Sequence, residues 1–394
     1  MDEWNPCRLG ELVSIKHGWP FKSKLCRFEL QGGPIVVNTG NFRYDGGFRF
    51  DETALREYCG EFPPEFILVP GDILLVMTCQ TPGGEILGIP GRIPADGRTY
   101  LHNQRLGKVI IRNPDAIDAN FAYWLCLWSK FNRHLVTTAS GSKILHTAPS
   151  RIEDFCFRLP SLREQKVIGA CLQSLQSKIE LNRHTNETLE ALARAIFKDW
   201  FVDFGPTRAK AEGRAPYLEP ALWDLFPDRL DAEGKPEGWE LGDLSDCIQL
   251  QRGFDLPAKQ RRPGKYEVIA AGGPHGTHDE YRVRGPGVVT GRSGVIGNVF
   301  LTLDDFWPLN TTLWVKEFRR SSPAHAYFLL GSIDLVGYGS GSAVPTLNRN
   351  HVHMEPVVLP PLALLQAYSE QADLMFSRIQ QGLDHNSDQN PVVH

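Results

Sequence analysis

LPSLREQKVIGACLQSLQSKIELNRHTNETLEALARAIFKDWF, residues 159–201, decides the architecture of this chain. Within it Ile168, Leu172, Leu175, Ile179, Asn182, Asn186, Leu189, Ala193, Ile196 and Trp200 follow one another at alternating steps of four and three. That is the 3.5-residue period of a helical seam, with charged residues between its members. No Gly after Gly169 and no Pro before Pro206 interrupts it. The segment reads as one long helix, opened by a Leu-Pro step.

Reading outward, the segment has a shorter echo. LPSL at Leu159–Leu162 returns as LPPL at Leu359–Leu362, and Lys178-Ile179 as Arg378-Ile379. Tyr368, Ala372, Met375 and Ile379 form a second seam in matched register. We expect Ile168, Leu172, Leu175 and Ile179 to pair with helical positions of this kind. An amphipathic helix packed on its own domain is the alternative. Upstream, RLGEL at Arg8–Leu12 returns as ELGDL at Glu240–Leu244, and SGS at Ser140–Ser142 as Ser340–Ser342. Matches in the same order indicate duplication. Each copy opens on short apolar runs punctuated by Gly and Pro, such as VPGDILLV at 69–76 and GPGVVTGRSGVIGNV at 285–299. Such runs predict β-rich domains with many turns. The expected layout is α+β: a β-rich domain over residues 1–158, a helical region and linker over 159–236, a second β-rich domain over 237–357, and a helical region over 358–394.

Composition limits the function classes. Hydrophobic residues make up 42% of the 394 and charged residues 22%, an ordinary globular balance. The longest apolar run is too short to cross a membrane, and MDEWNPCRLG is acidic where a signal peptide is basic, so a cytoplasmic protein is expected. None of the eight cysteines forms a C-x-x-C pair, which argues against structural zinc or a disulfide framework. His275/His278 and His351/His353 have usable spacings but no Cys or carboxylate beside them, so no metal is expected. The formal charge is −4, with +1 over residues 1–158 and −1 over 237–358. A nucleic-acid surface would therefore have to come from local clustering.

At this point a family is identifiable. NRHTNETLEALARAIFKDWFVDFGPTRAK (182–210) resembles the first central helical region of the specificity subunits of type I restriction-modification enzymes. GGPHGTHDEYRVRGPGVVTGRSGVIGNV (272–299), WPLNTTLWV (307–315) and SGSAVPTLNRN (340–350) are similar to their second variable domain. The resemblance implies two target recognition domains in a pseudo-symmetric repeat, each reading half of a split double-stranded DNA sequence. It also implies an antiparallel two-helix coiled-coil spacer between them. The implied partners are two adenine methyltransferase subunits and two ATP-driven restriction/translocase subunits, which own the methyl donor and the ATP. Two departures stand out. Ala363-Leu364-Leu365-Gln366 replaces the expected Glu-Gln after LPPL, and the second helix lacks any counterpart of the N-E-T-L-E segment.

No catalytic or cofactor motif accompanies the resemblance. No G-x-x-x-x-G-K-[ST] loop occurs, and Phe62-Pro63-Pro64-Glu65 is not the Asn/Asp-Pro-Pro-aromatic motif of adenine methyltransferases. The expected role is a reader of DNA without catalysis or cofactor. Lys16, Lys22, Lys24 and Arg27 cluster without an intervening acid. The equivalent stretch of the second copy holds Arg252, Lys259, Arg261, Arg262 and Lys265, with only Asp255 among them. Such clusters suit phosphate contacts. Arg292 and Ser293 sit between Gly291 and Gly294, where small neighbours permit close backbone approach. Ser140, Ser142, Lys143 and Ser342 precede the two helices, as DNA contacts or as turn and cap chemistry. A helical scaffold whose β-rich domains bind protein is the competing reading, and a lone DNA-modifying enzyme a third.

Overall fold

The computed structural model describes residues 4–50, 54–81, 83–340 and 345–389. The chain divides into two compact units, one built on residues up to Glu180 and one on Leu181–Asp388. Each holds a β-rich domain and part of the long helix Leu162–Phe201, which the unit boundary crosses. Among the described residues, no helix is long and apolar enough to cross a membrane.

The first domain is built on a four-stranded antiparallel sheet in the order Val13–His17, Leu106–Ile111, Ile73–Val76, Pro90–Arg92. Its strands show why they form. Val13 and Ile15 point into the core while Ser14 and Lys16 face outward, the period-two alternation of a half-buried strand. Ile73–Val76 is buried at every position, as its central place requires. A second sheet orders Cys26–Arg27, Glu57–Tyr58, Ile35–Val37, Tyr100–His102 and Ile67–Leu68, with Ile35–Val37 and Tyr100–His102 parallel. Asn5–Arg8 pairs with Cys156–Leu159 and closes the domain just before the long helix. One core joins these elements to the helix Ala119–Cys126, which is capped where Phe121 N–H donates to Asp118 Oδ1 (3.0 Å).

The second domain repeats the four-stranded sheet and the closing strand pair, with a smaller second sheet. Its four-stranded sheet runs Ile248–Arg252, Thr312–Phe318, Gly287–Gly291, Val299–Thr302. A parallel pair, Tyr266–Ala270 with Phe306–Pro308, answers the parallel pair of the first domain. Glu240–Asp243 pairs with Pro356–Leu359 ahead of the second long helix, Leu362–Gln389. The duplication read from short sequence matches is thus a duplication of pairing order.

The two long helices start differently. Ser161 and Glu164 form a reciprocal cap: Ser161 N–H donates to Glu164 Oε2 (2.9 Å), and Glu164 N–H to Ser161 Oγ (3.4 Å). Gln165 is fully buried; its amide donates to Ala116 O and Pro160 O and accepts from Asp118 N–H, all at 2.9 Å. That side chain ties the helix base to the first domain. At the matching place in the second helix stands Leu365, packed in an apolar core beside Leu364. The missing Glu-Gln is therefore a polar lock exchanged for an apolar one.

All ten positions of the first seam are at least partly buried, yet their neighbours change along the helix. Ile168 and Leu172 pack on the core of the first domain. Ala193, Ile196 and Trp200 share a core with Tyr368, Ala372, Met375 and Ile379. There the helices run antiparallel: Tyr368 OH donates to Ala193 O (3.2 Å), and Asn186 Nδ2 to Ile379 O (3.3 Å). Leu175 is half-buried and Ile179 buried. The seam is thus shared between a domain core and a helix pair.

Candidate nucleic-acid interface

One edge of each domain is assembled from the same parts. In the first domain the strand Val13–His17 runs into Gly18 and Trp19, and Trp19 bridges Asn103. Trp19 N–H donates to His102 O (2.8 Å), and Gln104 N–H to Trp19 O (3.0 Å). The turn Asn103-Gln104-Arg105 is held beside Met77, whose N–H donates to Arg105 O (2.9 Å) and whose carbonyl accepts from Thr147 N–H (3.0 Å). A small hairpin completes the edge: Ser140 and His146 exchange backbone hydrogen bonds at 2.9 and 2.8 Å, leaving Gly141–Ile144 exposed at its tip.

The second domain carries the same contacts on different side chains. Phe254 bridges Leu309 as Trp19 bridges Asn103. Arg292 stands where Met77 does: its N–H donates to Thr311 O and its carbonyl accepts from Leu347 N–H, both at 2.8 Å. Ser340 pairs with Thr346 as Ser140 pairs with His146. Gly18 and Gly253 are required at this edge, because a Cβ on either would lie 2.2 Å from a backbone oxygen, of Asn103 or Leu309. Their neighbours give a sequence signal that clustering of charge overlooks: His17-Gly18-Trp19 returns as Arg252-Gly253-Phe254. The turn residues Asn103, Gln104, Arg105 and Asn310 carry no such signal; only the fold brings them to the edge.

The basic clusters divide into engaged and unengaged side chains. Arg27 is paired with Glu57, which is 1% exposed and also accepts from Gln31 N–H (2.6 Å). The Arg27 guanidinium, followed by that amide, holds the Glu57 carboxyl down to about 2. Arg262 lies 2.6 Å from Asp279 and 3.0 Å from Glu280, and its own pKa is raised, first by the hydrogen bond to Asp279. Arg261 donates to Leu256 O (3.5 Å) and His275 O (3.2 Å), tying two loop segments together. Arg292 Nε donates to Asn310 O (3.1 Å). Lys16 stands 5.3 Å over the Phe66 ring, and Lys265 5.0 Å over Tyr266. Arg252 is 3.9 Å from Asp255, too long for a strong pair. Lys22, Lys24, Lys143 and Lys259 are exposed and carry no ion pair among the described residues.

Of the remaining candidates, Ser142 is exposed at the hairpin tip, and Ser140 Oγ donates weakly to His146 O (3.4 Å). Ser293 is half-buried and bridges Thr346. Ser342 lies outside the described residues. Below the first-domain edge, Lys108 is paired with Asp72 at 2.6 Å, and burial pushes the His102 imidazole down to about 4. These two support the strands and do not reach outward. Each edge thus offers an aromatic or apolar residue, amide and guanidinium donors on a tight turn, and lysines with no internal counter-charge. That is the equipment for gripping a phosphate backbone and testing base edges.

Comparisons with known proteins agree with this duplicated scheme. A family described as the type I restriction modification DNA specificity domain matches residues 1–191. The specificity subunit of the type I restriction enzyme HindI of Haemophilus influenzae is 30% identical over 312 residues, 66% of this chain and 63% of that one. The MjaIX specificity subunit of Methanocaldococcus jannaschii is 27% identical over 146 residues, 37% of this chain and 31% of its own. The chain thus spans less than two thirds of the length of these curated relatives. Among solved structures, the S subunit of the type I restriction-modification system from M. genitalium shares the fold. Its TM-score is 0.59 over 98% of this chain and 92% of that one, at 14% identity. Residues 1–191 thus match the family of type I restriction modification DNA specificity domains, and the second domain repeats the pairing order of the first four-stranded sheet.

Proposed function

We infer that this chain is the non-catalytic DNA-reading subunit of a type I restriction-modification complex, each domain reading one half of a split double-stranded target. The observation that carries this is the repeated edge: two domains of different sequence present a turn, a strand end and a hairpin held by the same backbone pairings. A fixed scaffold with exchanged side chains suits two different half-sites. Lys22, Lys24, Lys143 and Lys259 position the phosphates, while Gln104, Arg105 and Arg292 are the side chains best placed to test bases. The methyltransferase and restriction/translocase partners, two of each, bring the chemistry and its cofactors. The complex works in the cytoplasm.

The test is methylation sequencing of the source genome with and without this gene. The expected result is an adenine-methylated motif of two short blocks with an unread gap, lost on deletion. A methylome unchanged by deletion, together with equal binding of the purified chain to all duplexes, overturns the reading in favour of a protein-binding scaffold.

A further inference from the structure

The second domain shows what its helix-end groove is for. There the helix Pro323–Ser332 and the second long helix receive the aromatic end of the first long helix. Phe197 lies 5.4 Å from His325 and 5.8 Å from Phe328, and Phe201 lies 5.1 Å from His325 and 5.3 Å from Tyr368. Ala193 and Trp200 complete the plug, Trp200 at 6.2 Å from Tyr368. Buried aromatics of this kind supply much of the energy of such a contact.

The first domain has the corresponding walls. Its helix Ala119–Cys126 follows Asp118 as Pro323–Ser332 follows Ser322, and Ala122-Tyr123 answers Ala326-Tyr327. In that register Phe121 and Trp124 stand for His325 and Phe328. Counting from the two Leu-Pro steps, Ile168 and Leu172 stand for Tyr368 and Ala372. Here, however, these four residues line an open groove of about 730 Å³. Trp4 and Trp128 on its border are each 42% exposed, an unusual amount of aromatic surface to leave in water. Among the described residues, the second long helix carries no aromatic side chain after Phe376. Lys130 and Arg158 line the groove, and among the described residues no acidic residue does.

We propose that this groove docks an amphipathic helix of a partner protein. The helix presents a small residue and then aromatics at the spacing of Ala193, Phe197, Trp200 and Phe201, with acidic residues at its flanks to meet Lys130 and Arg158. The docking is independent of DNA reading. It places a protein contact on the first domain that the second domain satisfies from within.

The probe is a fluorescently labelled peptide with the sequence of residues 188–204, TLEALARAIFKDWFVDF, titrated with the full chain. Anisotropy should show saturable binding. Trp128→Glu in the full chain should weaken it at least 10-fold, with the circular dichroism of the variant unchanged. A peptide carrying Phe197→Glu and Trp200→Glu should not bind. DNA affinity measured on the same Trp128→Glu sample should be unchanged, which separates this result from the DNA reading. Absence of peptide binding, or binding that Trp128→Glu leaves intact, overturns the proposal. So does a concentration-dependent dimer of the full chain abolished by Trp128→Glu, because the occupant is then a second copy.

Discussion

Lowering the pH from 7.5 to 5 should destabilise the second unit through one side chain, His325. It is 2% exposed, ringed by Phe197, Phe201 and Tyr368, and its Nδ1 lies 2.9 Å from Ser321 Oγ. Burial pushes its pKa down to about 3. In the unfolded chain an imidazole titrates near 6.5. Below that value the unfolded state takes up a proton that the folded state refuses. The contribution is therefore complete above pH 6.5 and is lost as pH falls toward 3, at about 1.4 kcal/mol per unit. At pH 5 the loss is about 2 kcal/mol. With a urea slope of about 2–3 kcal/mol/M, the midpoint should drop by about 0.7–1 M. His325→Phe places there the residue type that Phe121 already provides in the first domain, and it removes the titration. Urea unfolding followed by tryptophan fluorescence at pH 7.5, 6 and 5, wild type against variant, isolates the effect from carboxylates common to both. Equal pH dependence in the two proteins would refute the reasoning.

Three further outcomes are expected. Replacing Lys22 and Lys24 with Ala should flatten the slope of log DNA affinity against log salt by up to about 1.8, at about 0.9 per phosphate contact, measured on duplexes from 50 to 200 mM salt. Lys259→Ala should flatten that slope more than Arg262→Ala, whose guanidinium already has two carboxylates; equal slopes would place Arg262 on the phosphates. Gly18→Ala and Gly253→Ala should each cost about 1–3 kcal/mol by calorimetry, because the new methyl meets a backbone oxygen at 2.2 Å.

The periodicity of residues 168–200 revealed the helix and its buried side but not its neighbours. A seam reports which face is covered; whether a domain core or another helix covers it is settled by parts of the chain far away, as Ile168 and Ala193 illustrate. The duplication was legible because turn and helix-entry residues recur under tight backbone constraints. The basic clusters were legible only as charge. Glu57 lies 30 residues from Arg27, and Asp279 17 from Arg262, and only folded strands bring these carboxylates to their cations. The lysines left unengaged follow from that subtraction. The turn Asn103–Arg105 was missed because nothing in its composition distinguishes it from any other polar turn.

The long helix Leu162–Phe201 has a consequence for synthesis. Its first half finishes a unit whose other parts have already left the ribosome, so that unit can close early. Its second half must wait, since Ala193 meets Tyr368 across 175 residues of chain. At about 5–20 residues per second, that interval is roughly 9–35 s. Until then Phe197, Trp200 and Phe201 stand on a nascent helix without His325, Phe328 and Tyr368, a natural landing place for a chaperone and a stretch exposed to aggregation while the protein is being made.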